Sequence, residues 1–263
     1  MSGSTPVWDD PVTVEAYAQF LARHDRYARA NEALVTHAGL DAASRVLDVG
    51  AGLGSTAERA FLRLGPEAHV VCVETATAMR ERGAARVTDP RVTWLAALPR
   101  RGPFDCILSG AAIWLMLPLE DTLARWRALL APGGCLAFDI PAAYLGQTDD
   151  PGGGNDPHLL GLVQALAEKA LGLPAEPAAS LPSPEAISVL LEGLGFTVTR
   201  WTHSARLTQA AYRDWLKLPA VNGSLLGRVP VAERAALVDA AWEGVDQTAW
   251  RPERWLGWTA VLP

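Results

Sequence analysis

The chain has 263 residues, 49% of them hydrophobic, with 23 Lys and Arg against 29 Asp and Glu and a formal net charge of -6. That much apolar material supports one large core or two small ones and excludes wholesale disorder, while the acidic balance argues against a nucleic-acid surface, which needs clustered Lys and Arg. The start, Met-Ser-Gly-Ser-Thr-Pro, has neither the basic residues nor the apolar run of a signal peptide, and no stretch is apolar enough to span a bilayer. Cys72, Cys106 and Cys135 lie in apolar runs with no metal-ligand spacing, as buried thiols do. A reducing, cytoplasmic setting with no membrane and no metal is the expectation.

In chain order, residues 1–12 read as a loose leader with two prolines, and 13–38 as two helices ended by Gly39. Arg45–Val49 reads as a buried strand, followed by a helix to about Leu64. Val70–Val73 is a second strand, Ala76–Ala85 a helix, Val92–Leu95 a third strand and Phe104–Leu108 a fourth. Leu119–Leu130 reads as a helix, Pro132–Gly134 as a turn and Cys135–Ile140 as a fifth strand. Residues 145–158 and 174–184 read as loops around an amphipathic helix over Leu159–Leu171. Ser183 and Pro184 open a helix to about Leu194, and Phe196–Trp201 is a sixth strand. Thr208–Leu218 and Pro230–Trp242 read as helices and Trp255–Leu262 as a seventh strand. Strands alternating with helices predict βαβ units, a mostly parallel sheet and right-handed crossovers. No internal repeat is visible.

The informative segment is Val46-Leu47-Asp48-Val49-Gly50-Ala51-Gly52-Leu53-Gly54, a strand running straight into three alternate glycines and then a helix. Glycine permits positive φ and removes the Cβ that would block a ligand lying on the backbone. Glu74, just past the second strand, can accept both hydroxyls of an adenosine ribose. Gly-x-Gly-x-x-Gly fails, because Ser55 stands at the sixth position counted from Gly50, and the Gly-Lys-Ser/Thr of a phosphate loop is absent. The pattern suits a nucleoside cofactor without a pyrophosphate, with Asp48 holding loop amides or meeting a cationic amino-acid group through water. An ordinary strand-to-helix turn is the plain alternative.

On these residues the sequence resembles the class I S-adenosylmethionine-dependent methyltransferases, most of all their small-molecule, ubiquinone/menaquinone-type group, over about residues 40–140 and more loosely 184–203. The resemblance implies an α/β, Rossmann-like sheet of seven mostly parallel strands, the last antiparallel, with helices on both faces. It implies S-adenosyl-L-methionine as cofactor and a small-molecule acceptor. By position, Asp48, Gly50, Ala51, Gly52 and Gly54 lie against the methionine part of the cofactor and Glu74 against the ribose. Thr75, Met79, Leu95 and Ala96 lie around the adenine, and Ser109 where cofactor and acceptor meet. Trp94–Pro99 carries no counterpart of the carboxylate that many relatives place by the adenine amino group.

Open α/β sheets bind ligands beyond the carboxyl ends of their strands, so the acceptor is expected near Ile113, Trp114, Pro141 and Tyr144, with Tyr17, Tyr27 and Trp215 as further walls. The ten tryptophans fit core packing or an aromatic pocket, with Trp255 and Trp258 on the structural side. The expected organisation is a single domain: helical lid 1–44, cofactor core 45–140, insertion and lid 141–182, and remainder 183–263. If the nucleophile needs a base, His24 and His158 are the candidates; His69 and His203 read as surface or edge residues and His37 as a helix cap. Asp105 and Asp139 are poor metal ligands. A non-methylating reaction on the same cofactor, and a non-catalytic partner of the same fold, are the alternatives.

Overall fold

Short β-branched runs and amphipathic helices alternate along the chain, and in the computed structural model, which describes residues 6–147, 159–171 and 181–263, they build one seven-stranded sheet. The strands are β1 (Arg45–Val49), β2 (His69–Val73), β3 (Val92–Leu95), β4 (Phe104–Ser109), β5 (Leu130–Pro141), β6 (Thr197–Thr208) and β7 (Trp250–Val261). Their order is β3-β2-β1-β4-β5-β7-β6, parallel from β3 to β5, with β7 antiparallel to both neighbours. The chain turns back on itself between β1 and β4, and this reversal opens a crevice above the carboxyl ends of those two strands.

Ten helices flank the sheet among the described residues: α1 (Pro11–Arg23), α2 (Arg26–Ala38), α3 (Ser55–Phe61), α4 (Thr77–Arg86), α5 (Leu119–Arg127), α6 (Leu159–Leu171), α7 (Pro184–Gly193), α8 (Gln209–Leu216), α9 (Pro219–Leu225) and α10 (Val231–Trp242). Local chemistry sets their ends. The Asp10 carboxylate accepts from the Val12 and Thr13 amides, with Pro11 as the first helical residue of α1. Ser183 caps α7 in the same manner, and α2 stops at Gly39 with φ +66°.

Three cores result. One face of the sheet packs Leu47, Ile107, Phe138 and Trp258 against Leu123 and Trp126 of α5 and Ile187 of α7. The other packs Val46, Cys72, Leu108 and Ala137 against Leu34 and Val35 of α2 and Ala57 of α3. A third core stands beside the sheet, where Phe20 of α1, Val163 of α6, Trp215 of α8 and Val238 of α10 meet.

Several expectations change. The supposed leader is ordered from Pro6, with a short 3-10 helix over Pro6–Asp9. Helix α5 ends at Arg127, and Pro132–Gly134 lies inside β5 as an irregularity between the pairs Phe104–Leu130 and Cys106–Cys135, not in a separate turn. Strand β6 continues seven residues past Trp201, and β7 begins five before Trp255, the two forming an antiparallel ladder from Thr208–Trp250 to Thr197–Val261 with α8, α9 and α10 between them in the chain. β6 is an edge strand with one face in solvent, so its apolar signal is diluted; Pro252 is tolerated because β5 pairs with β7 only from Trp255 onward. The short helix α9 had no sequence signal of its own. His37 caps nothing with its ring, which stacks on Trp201 at 4.4 Å. His158, the run Gly152–Gly154 and most of the two expected loops lie outside the described residues.

Candidate active site

The loop after β1 holds Gly50, Gly52 and Gly54 at φ +74°, +54° and +82°, all in the left-handed region. The three glycines make room for different things. A Cβ on Gly50 would stand 2.6 Å from Ala112 Cβ and 2.7 Å from Met116 Cε, and one on Gly54 2.7 Å from Val87 Cγ2, so the protein itself fills those spaces. A Cβ on Gly52 would meet no heavy atom within 4 Å. Gly52 is therefore the bare stretch of backbone in the loop. Ala51 is buried beneath it.

Glu74 turns toward this stretch: its Oε2 accepts from the Gly52 amide and its Oε1 from the Ala76 amide, both at 2.9 Å. Each oxygen keeps a lone pair for another donor. Burial pushes the Glu74 carboxyl up, and the Ala76, Gly52 and Thr75 amides and Arg80 hold it back. Asp48 is fully buried at the end of β1, and neither carboxylate oxygen has a hydrogen-bond partner among the described residues. Burial raises its pKa to about 7; the Ala57 amide, too far or too poorly aligned to bond, still draws it down, and Glu74 pushes it up. The Ser109 hydroxyl at the end of β4 is equally buried and unpartnered. Buried polar groups are nearly always satisfied, so these orphans and the open side of Gly52 mark a place built for a polar ligand.

The N-terminal segment covers this place. Asp9 Oδ1 accepts from the Ala78 amide at 3.1 Å, and Val14 of α1 packs with Leu53, Ala76 and Met79 under Trp8 and Tyr17. Arg86 ties down the loop by donating to the Leu53 carbonyl at 2.7 Å. Thr75 and Ala96 are exposed, and the Leu95 carbonyl accepts from the Glu74 amide in the ladder at 3.0 Å.

The aromatic residues converge next to it. Tyr17 and Tyr27 meet edge-on at 5.8 Å, Tyr27 and Trp255 at 6.1 Å, and Trp114 and Tyr144 at 5.0 Å. Trp215 Nε1 donates to the Tyr27 hydroxyl at 3.0 Å. Burial drives the Tyr17, Tyr27 and Tyr144 phenols up, yet all three residues keep some accessible surface. Ile113 is fully buried below Trp114. Trp258 stacks on Phe138 and donates to Ser188, a structural position as expected; Trp255 instead joins the Tyr27 group.

His24 is not in that group. Its Nε2 lies 2.8 Å from Asp214 Oδ2, linking the end of α1 to α8, and its ring lies against Phe20. Asp105 accepts from the Ser44 and Arg45 amides and holds the start of β1.

Two features escaped the sequence reading. Arg26 is buried and donates to both oxygens of Glu253 at 2.5–3.0 Å, with its guanidinium 4.3 Å from the Trp215 ring. Burial alone would lower the Arg26 pKa, but Glu253 more than offsets it; burial pushes Glu253 up, and Arg26 brings it down overall. The available signal was an arginine on the buried stripe Arg26, Ala30, Leu34 of α2. The second is Asp139, fully buried near the end of β5, where Oδ1 accepts from the Ala111 amide at 2.8 Å and Oδ2 has no partner among the described residues. Ala111 sits at φ +52°, an uncommon conformation for a residue with a side chain.

The fold, the glycine loop and the carboxylate facing it define a nucleoside-cofactor enzyme of the methyltransferase class. Residues 21–200 match the methyltransferase-domain family model, and the chain belongs to that family. It is 31% identical over 219 residues to the trans-aconitate 2-methyltransferase of Mycobacterium tuberculosis (strain ATCC 25177 / H37Ra), covering 80% of this chain and 76% of that protein. Among solved structures it resembles the phosphoethanolamine N-methyltransferase 2 of Haemonchus contortus with S-adenosylhomocysteine, at a TM-score of 0.52 and 19% identity over 89% of this chain. It spans about half of that protein, 52%. It also resembles the [4+2]-cyclase SpnF, at a TM-score of 0.53 and 17% identity over 88% of this chain and 80% of that one. Likeness at this level establishes the fold alone. Together with the family match, the chain is an S-adenosylmethionine-dependent methyltransferase that acts on a small molecule.

Proposed function

We propose that the acceptor is held in an aromatic recess walled by Tyr17, Tyr27, Trp114, Tyr144 and Trp215, with Ile113 as its floor, and that α1, α2 and, of the 141–182 segment, α6 close over it. The convergence of these rings beside the open face of Gly52 carries the reading. Residues 1–263 act as one domain in this scheme. Glu74 holds the ribose hydroxyls, Gly52 lies beside the methionine part in a loop shaped by Gly50, Ala51 and Gly54, and Asp48 and Ser109 meet its polar end through oxygens unpartnered among the described residues. Met79, Thr75, Leu95 and Ala96 surround the adenine.

Bound S-adenosylmethionine supplies an electrophilic methyl group. The chain's share is to orient the acceptor and exclude water, and positioning of this kind is a large part of catalysis when the electrophile is already reactive. His24 serves this scheme as a brace between α1 and α8, and His158 is the remaining candidate base. The test is incubation with methyl-labelled S-adenosylmethionine and a small-molecule extract. Labelled product with stoichiometric S-adenosylhomocysteine is the expected result; turnover of an acceptor without S-adenosylhomocysteine would replace methyl transfer by another reaction at the same site.

A further inference from the structure

The guanidinium of Arg26 lies 5.1 Å from the Tyr27 ring and 4.3 Å from the Trp215 ring, and its charge is already answered by the two-oxygen contact with Glu253. Asp139 adds a carboxylate at the point where the two expected acceptor stretches meet. The Ala111 amide that leads to Ile113 and Trp114 is bonded to its Oδ1, and Tyr144 follows it shortly in the chain. A buried carboxylate oxygen without a donor is costly, and such groups persist chiefly where function needs them. Burial raises the Asp139 pKa to about 7, and the Ala111 amide draws it down.

We propose that Asp139 recognises the acceptor through its free Oδ2, and that the group it receives is a hydrogen-bond donor, an amine or a hydroxyl, and not a carboxylate. The proposal rests on the methyl-transfer reading above. The polycarboxylate for which the 31%-identical relatives are named would set a carboxylate against Asp139 in place of a donor. An N–H or O–H donor supplies what Oδ2 lacks, and the surrounding rings accommodate the apolar remainder.

The experiment compares the wild type with Asp139→Asn, which keeps an oxygen for the Ala111 amide and removes the charge. Both are given methyl-labelled S-adenosylmethionine with trans-aconitate, and with an extract fractionated by ion exchange into anionic and neutral-plus-cationic pools. The wild type is expected to label the neutral-plus-cationic pool and to leave trans-aconitate untouched. The variant should lose at least about tenfold of that labelling at limiting acceptor through a higher KM. It should keep its S-adenosylhomocysteine Kd within about twofold and a melting temperature at pH 8 no lower than the wild type. Turnover of trans-aconitate, labelling confined to the anionic pool, or an unchanged KM in the variant overturns the proposal. So does a fall of several degrees in melting temperature, which would make Asp139 a structural anchor. Silence from every pool counts against methyl transfer itself, and the melting temperature then still decides for or against Asp139.

Discussion

The two halves of the active site are built at different ranges. On the cofactor side, Asp48, the three glycines and Glu74 come from two adjacent strands and their loops, and Glu74 reaches Gly52 across 22 positions. On the acceptor side the decisive contacts span the chain: Arg26 to Glu253 across 227 positions, His24 to Asp214 across 190 and Tyr27 to Trp215 across 188. A local site follows from a short motif and tolerates change elsewhere. A site clamped by distant pairs depends on the whole third core, where α1, α6, α8 and α10 meet.

The largest effect is expected where the distant clamp is electrostatic. Arg26→Ala would leave Glu253 buried and unpaired, a loss of about 3–5 kcal/mol, whereas Arg26→Met with Glu253→Leu should fall within about 1–2 kcal/mol of the wild type. Urea denaturation of the two variants reads this directly. Equal losses in both would show that the ion pair is not what holds α2 to β7.

Titration gives the next largest. Asp48 and Asp139 have folded pKa values raised to about 7, above that of an unfolded Asp at about 3.9. Between those values the folded chain binds more protons than the unfolded one, so stability falls as pH rises and levels off above about pH 7, by an amount on the order of a few kcal/mol. Urea midpoints from pH 5 to pH 8 should decline for the free protein. A rising series would mean that both carboxylates have charged partners that keep them ionised.

The glycine loop offers a sharper contrast. Gly50→Ala meets Ala112 and Met116 and should lower stability by about 1–3 kcal/mol. Gly52→Ala has open space and only the strain of positive φ, about 1 kcal/mol, but it should weaken S-adenosylhomocysteine binding at least about tenfold. Calorimetric binding and thermal melts, run on both, separate the packing glycine from the ligand glycine. Equal binding losses would put the cofactor against both residues.

The same difference in range explains what was legible beforehand. Strand β1, its glycines and Glu74 were readable because strand, turn and acidic residue each carry a local signal. Even so, Gly50 and Gly54 look like Gly52 in sequence, and only the packing of Ala112, Met116 and Val87 tells them apart. Tyr17, Tyr27 and Trp215 could be nominated as aromatic walls, but their meeting depends on the long β6–β7 ladder, whose edge strand alternates too weakly to be seen in full. Arg26 and Asp139 were missed as site residues for the same cause: each reads as a solvated charge until its partner, or the lack of one, is known.

The smallest effect concerns His24. Its side chain is 16% exposed and that of Asp214 25%, so the contact is partly screened, and Arg23 also approaches Asp214 at 3.3 Å. With a second cation at hand, His24→Asn should cost about 1 kcal/mol or less. The ring lies against Phe20, behind the Tyr27 group, and has no ring contact with Tyr17 or Tyr27 among the described residues. A brace and a base then differ in what they change: loosening α1 raises KM with kcat held, whereas losing a proton acceptor depresses kcat and alters the shape of its pH profile. The expected outcome is a KM rise of about twofold to fivefold with the kcat profile intact. A kcat loss of a hundredfold or more would move His24 from the clamp to the chemistry, and would make the distant half of the site catalytic as well as confining.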